Sequence, residues 1–423
     1  MPGIMLCEER LAEGVDDAIL QAQLARHYTG FKGKPPLCLC TEIHVRMYIA
    51  KFGQRYLLKR WPGSGHEHAV DCDRYEAPPE ASGLGKLMGS AIREDTLTGD
   101  VELKLGFPLK KQPRTAVTAE TAEAQGQESD LNESAAGSTS KVSLRAVLHY
   151  LWDQAELTHW KPGMKNKRNW WVVQSRLLDA AARMTTKGLR LQKRLYIPEP
   201  FKPEAKVQIR LRRRGFFQSV ASQKTARELL MFVFEVKEIS PSPYGYKLVA
   251  KNVPDDNFYL TADLYKLFRK RFATELEMFE RADGQCHLMA LGTISVKPSG
   301  IVNIEEMTLM ATTGDWIPVA DQQEAVVVDY SVTTGRQFIK PLKYNMGAGR
   351  ALAAMLYTDT PGQPTALYIV KADDSDVMIE ARRELQGAGR SLSVEWHVAD
   401  DPIPTSVIDG IPSASVERHL AKA

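Results

Sequence analysis

Three of the chain's five cysteines and three of its nine histidines fall between Pro35 and Cys72, in PPLCLCTEIHVRMYIAKFGQRYLLKRWPGSGHEHAVDC. The order is Cys-x-Cys, twenty-five residues, His-x-His, three residues, Cys. Side chains so far apart in sequence act together only if the chain between them doubles back. Gly53 stands thirteen residues after Cys40 and thirteen before His66, between the runs MYIAK and RYLLK. Pairing of those runs about Phe52-Gly53-Gln54 makes a hairpin whose open end sets Cys38 and Cys40 opposite His66, His68 and Cys72. The turn residues Pro62-Gly63-Ser64-Gly65 supply the bend that a metal knuckle needs.

Thiolate and imidazole ligands select zinc over magnesium or calcium, which take oxygen. Four of them leave no open position for water, so the expected role is structural zinc. The expected ligands are Cys38, Cys40, His66 and Cys72, with His68 as the alternative histidine and His44 a weaker rival. Two other readings compete. The cysteines can be small buried hydrophobes with incidental surface histidines nearby, or Cys38 and Cys40 a redox pair, for which Cys-x-x-Cys is the usual spacing.

The rest of the chain bounds this reading. At 423 residues it is long enough for two or three domains. Its 43% hydrophobic and 25% charged content is that of a soluble globular protein. No apolar run approaches the roughly 18 residues of a membrane span, and the first residues lack a signal-peptide pattern. Five unevenly placed cysteines make no disulfide framework, so the expected compartment is the cytoplasm, with no membrane partner. The net charge of +3 hides a segregation: Lys141 to Arg214 holds 18 Lys or Arg against 5 Asp or Glu. Such an excess speaks of a polyanionic partner.

Composition divides the chain into an α+β, multidomain protein. Residues 1–111 read as a small zinc-stabilised β module with hairpins about Gly53 and Gly99-Asp100. Residues 112–140 contain no aromatic residue and only Val117 and Leu131 as large aliphatics, so they read as a disordered linker. Residues 141–205 read as a basic helical, winged-helix-like module. Leu144, Val147, Leu148, Leu151 and Ala155 mark one helix; Trp170, Val173, Leu177, Ala180 and Met184 mark a second. A loop, THWKPGMKNK, joins them, and LRLQKRLYIPEPF follows as a strand or wing. The expected phosphate contacts are Lys161, Lys165, Lys167 and Arg168 in the loop and Arg212, Arg213 and Arg214 beyond the wing. Trp170 and Trp171 are either base-stacking groups or core. Residues 206–320 read as an α+β region with strands at LLMFVFEVKEI, GYKLVAKNV, HLMALGTISVK and VNIEEMTLMA. A helix capped at Thr261 stands between the two strand pairs.

Residues 321–423 read as helix, three strands, helix, strand, the order of a PD-(D/E)xK nuclease core. That chemistry needs an aspartate on the second strand and an acid and a lysine two apart on the third, to hold a divalent metal and activate water. Asp359 and Lys371 fall in register, with Glu324 as a helix acid. The remaining acid position is Ile369, so the expected fold is nuclease-like and degenerate. GLGKLMG lacks the GK[ST] ending of a phosphate loop and reads as a plain loop.

Three stretches carry a family resemblance: CLC…MYIAKFGQRYLLKRWPGSGHEHAVDC; VLHYLWDQAELTHWKPGMKNKRNWWVV with RLYIPEPF; and GRQFIKPLKYN with YTDTPGQPTALYIV. On these the chain resembles the bacterial domain-of-unknown-function family 1173, marked by three cysteines near the N-terminus. The resemblance spans nearly everything outside 112–140. It implies a bacterial protein often carried on conjugative or integrative elements, and brings no established activity. The expected function is therefore a zinc-containing, nucleic-acid-binding accessory protein of a mobile element, with DNA as the favoured partner. The alternatives are a metal-dependent nuclease and a zinc-containing protein-interaction scaffold that docks other proteins of the element.

Overall fold

A computed structural model describes residues 3–11, 16–28, 34–52, 55–61, 63–72, 74–78, 82–95, 100–111, 140–221, 227–281, 285–346, 350–388, 391–401 and 404–413. The architecture is mixed α+β with several sheets. Apart from Ser140, the expected linker 112–140 lies outside the described residues.

The expected hairpin forms between Val45–Phe52 and Arg55–Arg60, with Phe52 opposite Arg55. It extends a sheet through Leu37–Cys38 to Ile4–Leu6 and Glu9–Leu11. Alternation puts Val45, Met47 and Ile49 on one face, where they bury against Ile4, Leu6, Leu24, Cys38 and Cys72. The helix Asp17–Arg26 supplies Leu24 and is tied to the hairpin by Gln21, whose side-chain amide bonds both the N–H and the C=O of Tyr56.

Both basic-segment helices form, at Leu144–Gln154 and Trp170–Ala182, capped by the side chains of Ser143 and Asn169. Trp170, Val173, Leu177 and Ala180 are buried as their spacing requires, and Trp171 is 64% exposed. The winged-helix expectation is not confirmed: Met184–Thr186 pairs with Leu189–Arg190 as a short hairpin, but the strands around these helices also join sheets outside the segment. Met184–Thr186 runs parallel to Val101–Leu103, and Leu195–Tyr196 runs parallel to Met231–Phe232. The loop strand His159–Trp160 joins Phe338–Ile339. One core draws on residues on both sides of 112–140: Leu87, Ile92, Leu103 and Phe107 pack with Leu148, Trp152, Leu177, Met231 and Tyr344.

Residues 230–313 close into a barrel. In chain order its strands are Leu230–Ser242, Gly245–Ala250, Val253–Leu260, Cys286–Val296 and Val302–Thr313. Pairing runs first–second–third–fifth–fourth and back to the first; the third–fifth contact is parallel and the rest antiparallel. Between the third and fourth strands lie two helices, Ala262–Arg271 and Ala273–Arg281, where the sequence reads as one helix; the chain bends at Phe272. This connectivity is that of the OB-fold, a five-stranded Greek-key barrel. Phe232, Phe234, Leu248, Phe258, Leu288 and Leu309 fill the interior, and Phe217 of the helix Lys206–Ala221 packs against the same cluster.

The C-terminal segment follows the expected order: helix Gln322–Thr333, strands Phe338–Ile339, Met355–Tyr357 and Thr365–Val370, helix Asp376–Gly387, strand Leu392–His397. Its sheet is completed by His159–Trp160 from the basic segment. Among the described residues, no helix is long and apolar enough to cross a membrane.

Candidate metal centre and nucleic-acid interface

Cys38 ends its strand, Cys40 follows in the turn, and His68 and Cys72 come from the bend beyond the hairpin. Their ligand atoms all lie within 4.8 Å of one another. The Cys38 and Cys72 sulfurs are 3.8 Å apart, and Nδ1 of His68 is 3.3 Å from the Cys40 sulfur and 3.8 Å from that of Cys72. A tetrahedral ion with Zn–S bonds of about 2.3 Å has ligand–ligand edges of about 3.8 Å, so the group fits one metal ion. A disulfide needs sulfurs at about 2.0 Å, and all these cysteines are free.

The preferred histidine is corrected. His66 sits in a single 3-10 turn, Gly65–Glu67, and is exposed, whereas His68 leaves that turn in extended conformation and is buried against the thiols. Its Nδ1 faces the sulfurs, and its Nε2 is buried without a hydrogen-bond partner. His44 is exposed and is not part of the group.

Crowding controls the thiols. The hydrogen bond to Cys38, then burial, pushes Cys72 up to about 12. Burial also raises Cys40, while Cys38 is lowered, chiefly by its bond with Cys72. Three thiolates this close need a cation between them. The backbone N–H of Ala69 points at the Cys40 sulfur from 3.4 Å, a donor suited to a ligating thiolate.

The expected phosphate-contacting cations divide. Arg168 is an anchor: its guanidinium donates to the carbonyls of Leu157, Asp315 and His159 and lies over the Trp160 ring. Arg213 is buried between Asp255 and Asp256, and Arg212 is paired with Glu199, so both serve to dock their helix. The charge excess of the segment is thus partly met by carboxylates outside it. Lys165, Lys167 and Arg214 stay exposed, and among the described residues none of them forms an ion pair. Lys161 is half-buried, and burial, against the nearby Cys72 and Asp71, holds its ammonium below the ordinary value.

The three nuclease candidates do not converge. Asp359 is buried in a two-pronged bond with Arg336, at 2.8 and 3.0 Å. Lys371 pairs with Asp321 at 2.6 Å, and Glu324 is held by Lys340 at 3.0 Å and by the N–H of Ala320. Asp321 caps the start of the helix Gln322–Thr333, and Arg336 follows its end. Lys371 and Glu324 therefore lie about 18 Å, the length of that helix, from Asp359. Register agrees, since Tyr357 opposite Thr365 puts Asp359 at the turn and Lys371 past the far end. With Ile369 at the acid position, no shared metal site forms here.

Sequence reasoning missed the barrel face. The outward side chains Met231, Val233, Met289, Leu291 and Met310 of the first, fourth and fifth strands are buried in the helical core. The outer face of the second and third strands is left open towards its end. There Ser240, Lys247, Tyr259 and Asn303 form a row across four strands, each half-buried. Tyr244, in the turn between the first two strands, is 97% exposed, and Lys297 is exposed beyond the fourth. The missing signal was the third strand: VPDDNFYL reads as polar, yet its acids are neutralised by Arg210 and Arg213.

A family model described as "Protein of unknown function (DUF1173)" matches residues 9–399. No curated protein and no solved structure matches the chain.

Proposed function

The chain belongs to the DUF1173 family, and from its own residues we propose that it is a zinc-stabilised protein that binds single-stranded nucleic acid on the open face of its barrel. The observation that carries this is the row Lys247–Tyr259–Asn303 across the second, third and fifth strands, with Tyr244 in the turn before the second. That face and the loops beside it are where OB-type barrels take oligonucleotides. Tyrosine rings stack on bases of any sequence while lysines follow the phosphates. Lys165 and Lys167, presented by the loop that Arg168 anchors, add a second cationic surface. Zinc is assigned by donor type: three thiolates and an imidazole form a closed site with a structural role.

Fluorescence anisotropy with labelled oligonucleotides tests the reading. Log affinity should fall linearly with log salt, by about 0.7 per phosphate contact on a single strand. Tyr259→Ala should weaken binding by about 1–3 kcal/mol without changing the salt slope. Lys247→Glu should lower both. Absence of binding to single-stranded DNA, RNA or duplex at about 50 mM salt would reject nucleic acid as partner and favour a protein-docking scaffold.

A further inference from the structure

A cavity of about 420 Å³ opens between the hairpin of Val45–Phe52 and Arg55–Arg60 and the two helices of the basic segment. Its size is that of small-molecule sites, yet half of its lining residues are charged. Two ion pairs are internal to it: Arg60 with Glu76, and Arg176 with Glu156 at 3.1 Å. Lys59, Arg74 and Arg183 remain, facing Asp179 and Glu94. Among the described residues, none of these five forms an ion pair within 4 Å. The guanidinium of Arg183 donates to the Tyr48 hydroxyl at 3.3 Å, and among the described residues Nη1 of Arg74 is buried with no hydrogen-bond partner. Folding alone gives no reason to bury an arginine nitrogen unsatisfied beside a cavity.

Burial, then the charge of Arg183, brings the Lys59 ammonium down to about 7. Burial raises both carboxyls, Glu94 and Asp179, above their ordinary values. Lys59, Arg74 and Arg183 against Asp179 and Glu94 leave a surplus of at most one positive charge, so the cavity favours an anionic ligand.

We propose that this cavity binds a small phosphorylated hydroxy compound, of sugar-phosphate to mononucleotide size. Lys59, Arg74 and Arg183 take the phosphate, for which guanidinium forks and an ammonium are the usual partners. Asp179 and Glu94 accept hydroxyl groups. The site stands apart from the barrel face and does not rest on the nucleic-acid reading.

Isothermal titration of the zinc-loaded full chain tests it, with inorganic phosphate, ribose, ribose 5-phosphate and the ribonucleoside monophosphates as probes. We expect one organic phosphate to bind per chain at least about tenfold more tightly than inorganic phosphate, with ribose inert. Whether ribose 5-phosphate suffices or a base is also needed decides between sugar phosphate and nucleotide. Lys59→Met and Arg74→Gln should each weaken binding by about tenfold or more, while Arg74→Lys retains most of it. Asp179→Asn should weaken the organic phosphate and spare inorganic phosphate. Zinc content and Tm are followed in each variant, so that loss of binding is read only in folded protein. The proposal is overturned by no saturable binding of any probe to the unaltered chain. It is equally overturned by inorganic phosphate binding as tightly as the organic probes, or by full affinity in folded Lys59 and Arg74 variants. Nucleic-acid affinity should not change in these variants, so either reading can fail alone.

Discussion

At the scale of single residues, the metal centre turns on which of two histidines, two positions apart, reaches the thiols. His-x-His on a strand would put both on one face, and period alone cannot choose. The choice is made by the single 3-10 turn at Gly65–Glu67, which leaves His66 outside and sends His68 inward. Purified protein should therefore carry about one zinc per chain. Cys38→Ser, Cys40→Ser, Cys72→Ser and His68→Ala should lose it, and His66→Ala should keep it, as elemental analysis would register. Retention by His68→Ala together with loss by His66→Ala would reverse the assignment. Protons give a second readout. In the metal-free protein Cys72 is held up near 12 and Cys40 above its usual value, so at pH 7 both are thiols. Zinc binding in weak buffer should release roughly two to three protons per ion. Zinc uptake without proton release would mean that these sulfurs are not the ligands. The three cysteines and the hairpin that gathers them were legible from spacing; the histidine was not.

At the scale of elements, the helices were the most legible, because their caps and spacings are local. Ser143 shows how much such a cap carries: its hydroxyl accepts from the N–H of Ala146 and donates to Asn345, two hundred residues away. Ser143→Ala should cost about 1 kcal/mol or somewhat more in chemical denaturation, the usual value of a cap plus the tertiary link. The barrel was harder to read. Its strands alternate clearly except for the third, where Asp255 and Asp256 make a buried strand look like a loop until Arg213 is placed on them. Closure depends on pairings across fifty residues or more, such as Glu235 opposite Met289, which no local pattern announces. Glu235 also offers a pH test. Burial pushes its carboxyl up, but His287 at 2.7 Å and Lys251 outweigh burial and hold it below the ordinary range. A depressed carboxyl stabilises the fold above its unfolded value of about 4.3, and that contribution is lost as pH falls through the lower native value. Glu235→Gln should therefore flatten the fall of stability with acid in that window. An unchanged slope would show that the pair contributes nothing.

At the scale of the whole molecule, composition marks 112–140 as a boundary, and the packing marks none there. The segment's poverty in apolar residues made two self-contained halves the natural expectation. Period and composition report that a face is apolar but not which partner buries it, so they could not show that the halves share a core. Leu87, Ile92, Leu103 and Phe107 lie in one cluster with Leu148, Trp152 and Leu177. The strand Val101–Leu103 is held between Ile92–Glu94 and Met184–Thr186, and Lys110–Lys111 pairs with Arg227–Glu228. Glu228, buried, is bridged by Lys110 from one half and Arg194 from the other. Each large side chain kept out of water contributes about 1.5–3 kcal/mol, and several from each half are involved. A protease site inserted between residues 112 and 139 should consequently cut the chain without separating it. The two pieces should elute together on size exclusion, keep their zinc, and part only in denaturant. Pieces that separate in native buffer, each folded, would show that the two halves are independent domains. They would also remove the cavity between hairpin and helices as a standing feature of the fold.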